Sequence, residues 1–192
     1  METKKLILAS GSPRRREILE SAGYVFTVIT PDANEAKDGT SPEELACENS
    51  RLKAIEAAKL SDGVIICADT VVALGDKILG KPEGSEHAKE MLRSLSGNTH
   101  AVITGYTVTD GKKFICGHVT TKVTMRHIHQ DEIDAYVAGG SPLDKAGAYG
   151  IQEAAGMFVS SISGDYYNVV GLPISKISEI LREEFGLRAF MK

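Results

Sequence analysis

Cysteine is scarce: Cys47, Cys67 and Cys116 are three in number and widely separated. An odd, scattered set provides neither a disulfide framework nor a clustered zinc motif, and a reducing cytoplasm is the expected compartment. Long apolar runs are also missing. Leu6, Ile7, Leu8 and Ala9 fall far short of the ~18 residues of a membrane span, and Gly11-Ser12-Pro13-Arg14 interrupts them before they reach the ~7 apolar residues of a secretory leader. No membrane partner is expected. Linkers, low-complexity stretches and solenoid repeats are absent, so one domain over residues 1–192 is expected. Positive charge is not in excess: the formal net charge is −4. The basic residues at 14–16 form one small cluster rather than a stripe, which argues against nucleic acid and requires any anionic ligand to find a local basic pocket. The glycine-rich pieces lack the Walker lysine pattern, and no Ser-His-Asp or Cys-His set stands out. His127 and His129 read as surface histidines at a strand end.

What is present is an ordinary globular composition, with 42% hydrophobic residues, 25% charged residues and 19 glycines in 192 residues. A first strand over Lys5–Ala9 leads through Ser10–Ser12 into a helix with Ser12 at the N-cap and Pro13 at its first position. After an extended piece (Tyr24–Ile29) and a polar loop (Pro31–Thr40), Ser41-Pro42-Glu43-Glu44 forms a capping box for a helix to about Leu60. That helix is expected to bury Leu45, Leu52, Ile55 and Ala58 and to leave Arg51, Lys53 and Glu56 elsewhere on its surface. Val64–Leu74 reads as a central strand that turns at Gly75-Asp76 into Lys77–Leu79. Next come a helix from Ser85 to Leu95, a long hairpin from His100 to Thr124 turning at Asp110-Gly111, and a short helix around Asp131–Val137. A glycine-rich segment (Gly139–Gly156), further strands to Val170 and a last helix from Ile174 to Phe185 complete the chain. Tyr167–Pro173 reads as a strand delivering the chain to that helix. The irregular alternation predicts a mixed α/β sheet with flanking helices.

Three arginines, Arg14 to Arg16, occupy the first turn of a helix, where the macrodipole favours anions. With free backbone amides and the hydroxyls of Ser10 and Ser12 they make a phosphate site, or else they pair with Glu17 and Glu20. Asp69-Thr70 interrupts the apolar run of the central strand. A carboxylate there is either functional or a structural aspartate held by backbone amides, because burying an unpartnered charge is expensive. Gly80-Lys81-Pro82 presents either an ammonium aimed at a phosphate or an ordinary turn with a solvated lysine. Asp144–Gln152 combines glycines that allow close backbone approach with Gln152, whose amide can read a base edge; a tight turn accounts for the same pattern.

Together, and in this order, Ala9–Arg15, Ala68–Val72, Gly80–Pro82, Leu95–Gly97, Asp144–Gln152 and Asn168–Pro173 resemble the Maf family of nucleotide pyrophosphatases. The resemblance spans essentially the whole chain. It implies two lobes around a central cleft, as in the inosine triphosphate pyrophosphatases, and hydrolysis of a nucleoside triphosphate to its monophosphate and pyrophosphate. It further implies that Asp69 is the catalytic acidic residue, that Ser10, Ser12, Arg14, Arg15, Lys53 and Lys81 hold the triphosphate, and that Glu35 joins Asp69 in binding Mg²⁺ or Mn²⁺. Arg15, Thr70 and Gln152 resemble the branch acting on thymidine and uridine triphosphates, which implies a pyrimidine triphosphate as substrate, modified uridine or cytidine nucleotides included; the 7-methylguanosine triphosphate branch and a nucleotide-binding regulator of septum formation are the alternatives. A homodimer is expected from the family. Asn34 stands where an acid is common, and Glu153 where glycine is usual.

Overall fold

The computed structural model describes residues 4–36, 41–140 and 142–190. Among these residues seven strands form one mixed sheet: β1 (Leu6–Ala9), β2 (Thr27–Ile29), β3 (Val64–Leu74), β4 (Lys77–Leu79), β5 (Thr99–Thr109), β6 (Phe114–Met125) and β7 (Val159–Ser163). The order is β2-β1-β3-β5-β6-β7, with β4 paired to β3 off that path. The β2-β1-β3 pairs are parallel and all others antiparallel. The helices are α1 (Pro13–Ser21), α2 (Pro42–Leu60), α3 (Ser85–Leu95), α4 (Gln130–Ala138), α5 (Tyr166–Val170) and α6 (Ile174–Phe185). Two 3₁₀ turns, Ala146–Ala148 and Ala154–Phe158, occupy the glycine-rich segment. The polar loop expected over Pro31–Thr40 is described as far as Ala36; residues 37–40 lie outside the described set.

Local chemistry explains the boundaries. Pro13 starts α1, and the Ser41 side chain accepts the Glu44 amide to cap α2. At the β5-β6 turn, Gly111 takes φ 83° and Asp110 Oδ1 accepts the amides of Lys112 and Lys113. Two expectations fail. Tyr167–Val170 belongs to α5 rather than to a strand, because the Asp165 side chain caps it and Asn168 must turn inward, where its Nδ2 donates to Val102 O and Thr121 Oγ1. His127 and His129 are exposed, as expected, but lie in the connection after β6 rather than at a strand end, with the His129 amide donating to Glu132 at the start of α4.

The chain leaves β1 for β2 on one side and returns through α2 to β3 on the other, so the crevice beyond the end of β1 is a topological switch point, where open α/β sheets bind ligands. β3 widens it. Its pairing with β1 ends at Ile66 and its pairing with β4 begins at Val72, so residues 67–71 have β5 on one side and, among the described residues, no strand on the other.

Period-two alternation assigns β3 to two faces. One face carries two separate cores: Ala68 and Tyr106 belong to a cluster with α1 and α6, and Val72 and Val102 to a cluster with α3 and α4. The cross-strand pair Thr70–Thr104 lies between these rows and forms a polar seam that divides the molecule into two lobes. The opposite face is covered by α2. Of the stripe expected from hydrophobicity Leu45 is buried, but Leu52, Ile55 and Ala58 are only partly so, and the rest of the inward side is Ala46, Asn49, Ser50, Ala54 and Ala57, with Lys53 also turned toward the sheet. The reason is closeness. A Cβ built on Gly105 in β5 would lie 2.2 Å from the backbone of Ala46, so from there on the helix rests on bare main chain, and small or hydrogen-bonded side chains fill the space beneath it.

Replacing Gly105 by alanine is expected to force α2 off the sheet, with a loss on the order of 2 kcal/mol and a fall in Tm of roughly 4–8 °C in thermal unfolding; an unchanged Tm would refute the close approach. His100 supplies a second test. It is buried, its Nε2 lies 2.7 Å from Tyr149 Oη, and burial pushes its pKa from 6.5 down to about 4. The unfolded chain takes up the proton below pH 6.5 while the native state stays neutral, so stability falls as the pH drops from 6.5 toward 4, by an amount on the order of 3 kcal/mol. His100→Gln is expected to flatten that part of the Tm-against-pH curve.

Candidate functional site

A cavity of about 1010 Å³ opens at the switch point between the two lobes. Ser10, Ser12, Arg14, Arg15, Glu35, Lys53, Asp69, Thr70, Lys81 and Gln152 all line it, although they come from separate stretches of the chain. The elements explain how. β1 ends at Ala9 and releases Ser10–Ser12 at the crevice, and α1 then starts with no side-chain cap on its first amides. Successive side chains on a helix diverge by about 100°, which gives the three arginines three fates. Arg16 turns to the surface and pairs with Glu20 at 2.7 Å. Arg14 stands at the rim, 3.7 Å from Glu153 and 4.0 Å from Asp144. Arg15 enters the cavity, where Nε donates to Gly171 O (2.8 Å), Nη1 to Ser10 Oγ (3.2 Å) and Nη2 to Thr70 Oγ1 (3.1 Å). Burial lowers the Arg15 pKa and the Asp69 charge opposes that shift; a guanidinium keeps its proton regardless. Three of its five N–H groups thus have protein acceptors, and two remain for a ligand.

On the α2 face of β3, Asp69 Oδ1 lies 2.6 Å from Lys53 Nζ, and Oδ2 accepts from Asn49 Nδ2 at 3.4 Å. Lys53 also reaches Glu35 Oε1 at 2.9 Å, so one ammonium bridges two carboxylates. The Asn49 amide is almost fully used: its oxygen accepts the Ala36 amide at 2.7 Å and its nitrogen donates to Ala36 O at 3.2 Å as well as to Asp69. Asn49 therefore clips the segment carrying Glu35 to the helix that carries Lys53. Among the described residues no group of three or more His, Cys, Asp or Glu is arranged to hold a metal ion by itself.

The far wall comes from β4 and the glycine-rich segment. Gly147 donates its amide to Gly80 O at 3.1 Å, which joins the Lys81 turn to the stretch ending at Gln152. Gly147 takes φ 69°, and a Cβ there would touch Val72 at 3.0 Å, so glycine is required for the wall to lie against β3. Lys81 and Gln152 are both exposed at this wall. Lys145 is buried beside them and contacts Asp144 at 2.7 Å and Glu153 at 3.1 Å. Glu153 therefore meets Lys145 and Arg14 rather than standing as a lone charge at the cavity.

Sequence reasoning passed over Asn49, Thr104 and the charge of Lys145. Asn49 precedes Lys53 by four residues, the spacing that places two side chains on one helical face; that spacing was the available signal. Thr104 is a hydroxyl in an otherwise apolar stretch of β5, and only its register opposite Thr70 reveals it.

Residues 5–184 match the family described as Maf-like protein. Relatives named dTTP/UTP pyrophosphatase include one from Bacillus cereus (strain AH820), 46% identical over 182 residues that make up 94% of this chain and 95% of the relative. Another, from Alkaliphilus metalliredigens (strain QYMF), is 46% identical over 189 residues, 96% of this chain and 98% of its own. Two solved structures, the Ham1 protein of Staphylococcus aureus and a HAM1 protein from Coxiella burnetii, are each 16% identical and cover 64% of this chain and 72% and 73% of theirs, at TM-scores of 0.47 and 0.48. With the family match running over nearly the whole chain, the protein belongs to the Maf family.

Proposed function

We propose that this chain is a nucleoside triphosphate pyrophosphatase that hydrolyses dTTP and UTP to the monophosphate and pyrophosphate. The observation that carries the reading is the division of labour at β3: a carboxylate held by Lys53 and Asn49 on one face, and a guanidinium with two N–H groups to offer on the other, both lining one cavity. The names of the relatives support the substrates. Attack by water on the α-phosphorus forms a new P–O bond, breaks the bond to the bridging oxygen and expels pyrophosphate. Asp69 takes the proton of that water, with its carboxylate oriented by Lys53 and Asn49. Arg14, Arg15, Lys81 and the Ser10 and Ser12 hydroxyls receive the phosphate oxygens, and Arg15 suits a bidentate contact. Thr70 and Gln152, together with Arg15, read the base.

Two carboxylates joined by one lysine are a sparse set, but Mg²⁺ and Mn²⁺ sites of this kind draw most of their oxygens from phosphates and water. Glu35 and Asp69 therefore fit as the protein ligands, and the ion, when bound, neutralises charge on the triphosphate. Three unbridged thiols suit a reducing cytoplasm as the place of action.

The test is pyrophosphate release from a panel of canonical and methylated nucleoside triphosphates, with Mg²⁺, with Mn²⁺ and with EDTA. Metal-dependent turnover of dTTP and UTP is expected, and Asp69→Asn should lower kcat by about 10²-fold or more while leaving the fold intact. Preferred turnover of 7-methylguanosine triphosphate would shift the substrate assignment. No release from any nucleotide by folded protein would sink the enzymatic reading in favour of a nucleotide-binding regulator.

A further inference from the structure

Thr70 lines the cavity, and the neighbours of its hydroxyl determine which way the proton points. Thr104 Oγ1 donates to the Asn168 carbonyl oxygen at 2.9 Å and lies 3.0 Å from Thr70 Oγ1. A carbonyl has no proton to give, so the single O–H of Thr104 is committed to Asn168, and Thr104 can only accept from Thr70. Thr70 therefore donates to Thr104, while its oxygen accepts from Arg15 Nη2 at 3.1 Å. A guanidinium never accepts and a carbonyl never donates, so both ends of the relay are fixed and the direction Arg15 to Thr70 to Thr104 to Asn168 cannot reverse.

The relay is also rigid. Thr104 and Asn168 are fully buried, Asn168 Nδ2 is tied to Val102 O and Thr121 Oγ1, and Arg15 Nε is held by Gly171 O. Thr70 is left with a lone pair for the cavity and no proton.

We infer that Thr104 is a specificity-determining positioning residue: by taking the Thr70 proton it makes Thr70 a pure acceptor, matched to the ring N–H of uracil or thymine and mismatched to the ring-nitrogen lone pair of cytosine. The inference rests on the pyrophosphatase reading, with the base reaching Thr70. Opposing an acceptor to an acceptor leaves both unsatisfied, which corresponds to about tenfold or more in discrimination.

The experiment compares kcat/KM for UTP and CTP in the wild type, Thr104→Val and Thr104→Ser, with thermal unfolding of each. In Thr104→Val the Thr70 hydroxyl is free to donate, and the UTP/CTP ratio is expected to fall about tenfold or more; Thr104→Ser, which keeps the O–H, should restore it. A merely structural role would lower both rates together and leave the ratio unchanged, and that result in folded Thr104→Val overturns the inference. Should the valine variant fail to fold, the wild type is assayed with the triphosphate of 3-deazauridine, in which C–H replaces the ring N–H. A drop of about tenfold relative to UTP supports the relay, and equal turnover overturns it. A wild type that releases no pyrophosphate from any nucleotide removes the pyrophosphatase reading and the relay with it, whereas an active wild type with an unchanged Thr104→Val ratio removes the relay alone.

Discussion

The distance between α2 and the sheet governs the molecule. Gly105 contributes no side chain where Ala46 approaches, and that absence brings Asn49 and Lys53 within hydrogen-bonding reach of Asp69 in the neighbouring strand. A partly buried carboxylate is tolerable only with such partners, since desolvation of an unpaired charge costs several kcal/mol. The ion pair therefore depends on the helix placement: without the close approach Asp69 would lose both Lys53 and Asn49, whereas Lys53 keeps a second carboxylate in Glu35.

The seam on the other face obeys a complementary rule. Thr70 and Thr104 interrupt an apolar surface with hydroxyls, and such an interruption survives in the interior only when each polar atom finds a partner. Arg15, arriving from α1, and the Asn168 carbonyl, arriving from α5, supply those partners. The seam thus requires both elements to dock in one geometry, and the cavity inherits that geometry.

Much of this was legible from residue order. Breakers and caps with fixed local chemistry, such as Ser12-Pro13, Ser41–Glu44 and Asp110-Gly111, marked element ends correctly, and Asp69 betrayed itself as a charge within an apolar run. What failed depended on tertiary contact. Tyr167–Val170 carries β-branched and aromatic residues that favour strands, and its helix is secured by Asn168 bonding to β5 and β6, partners more than forty residues away. Hydrophobicity selects Leu45 on α2 correctly but misses most of the buried face, whose residues are small or polar, while Leu52 and Ile55 are only half-buried. Asn49 and Thr104 carry no charge to draw notice, and their importance arises only from register and packing.

Arg15 joins three parts of the chain before any ligand arrives: its fork ties the loop after β1, the middle of β3 and the residue that ends α5. It is a fastener in its own right. A lysine, with one compact ammonium, cannot reproduce three divergent contacts. Any substitution at this position therefore loosens the scaffold, so a weakened Arg15 variant is ambiguous evidence about nucleotide contact until its folding has been measured separately.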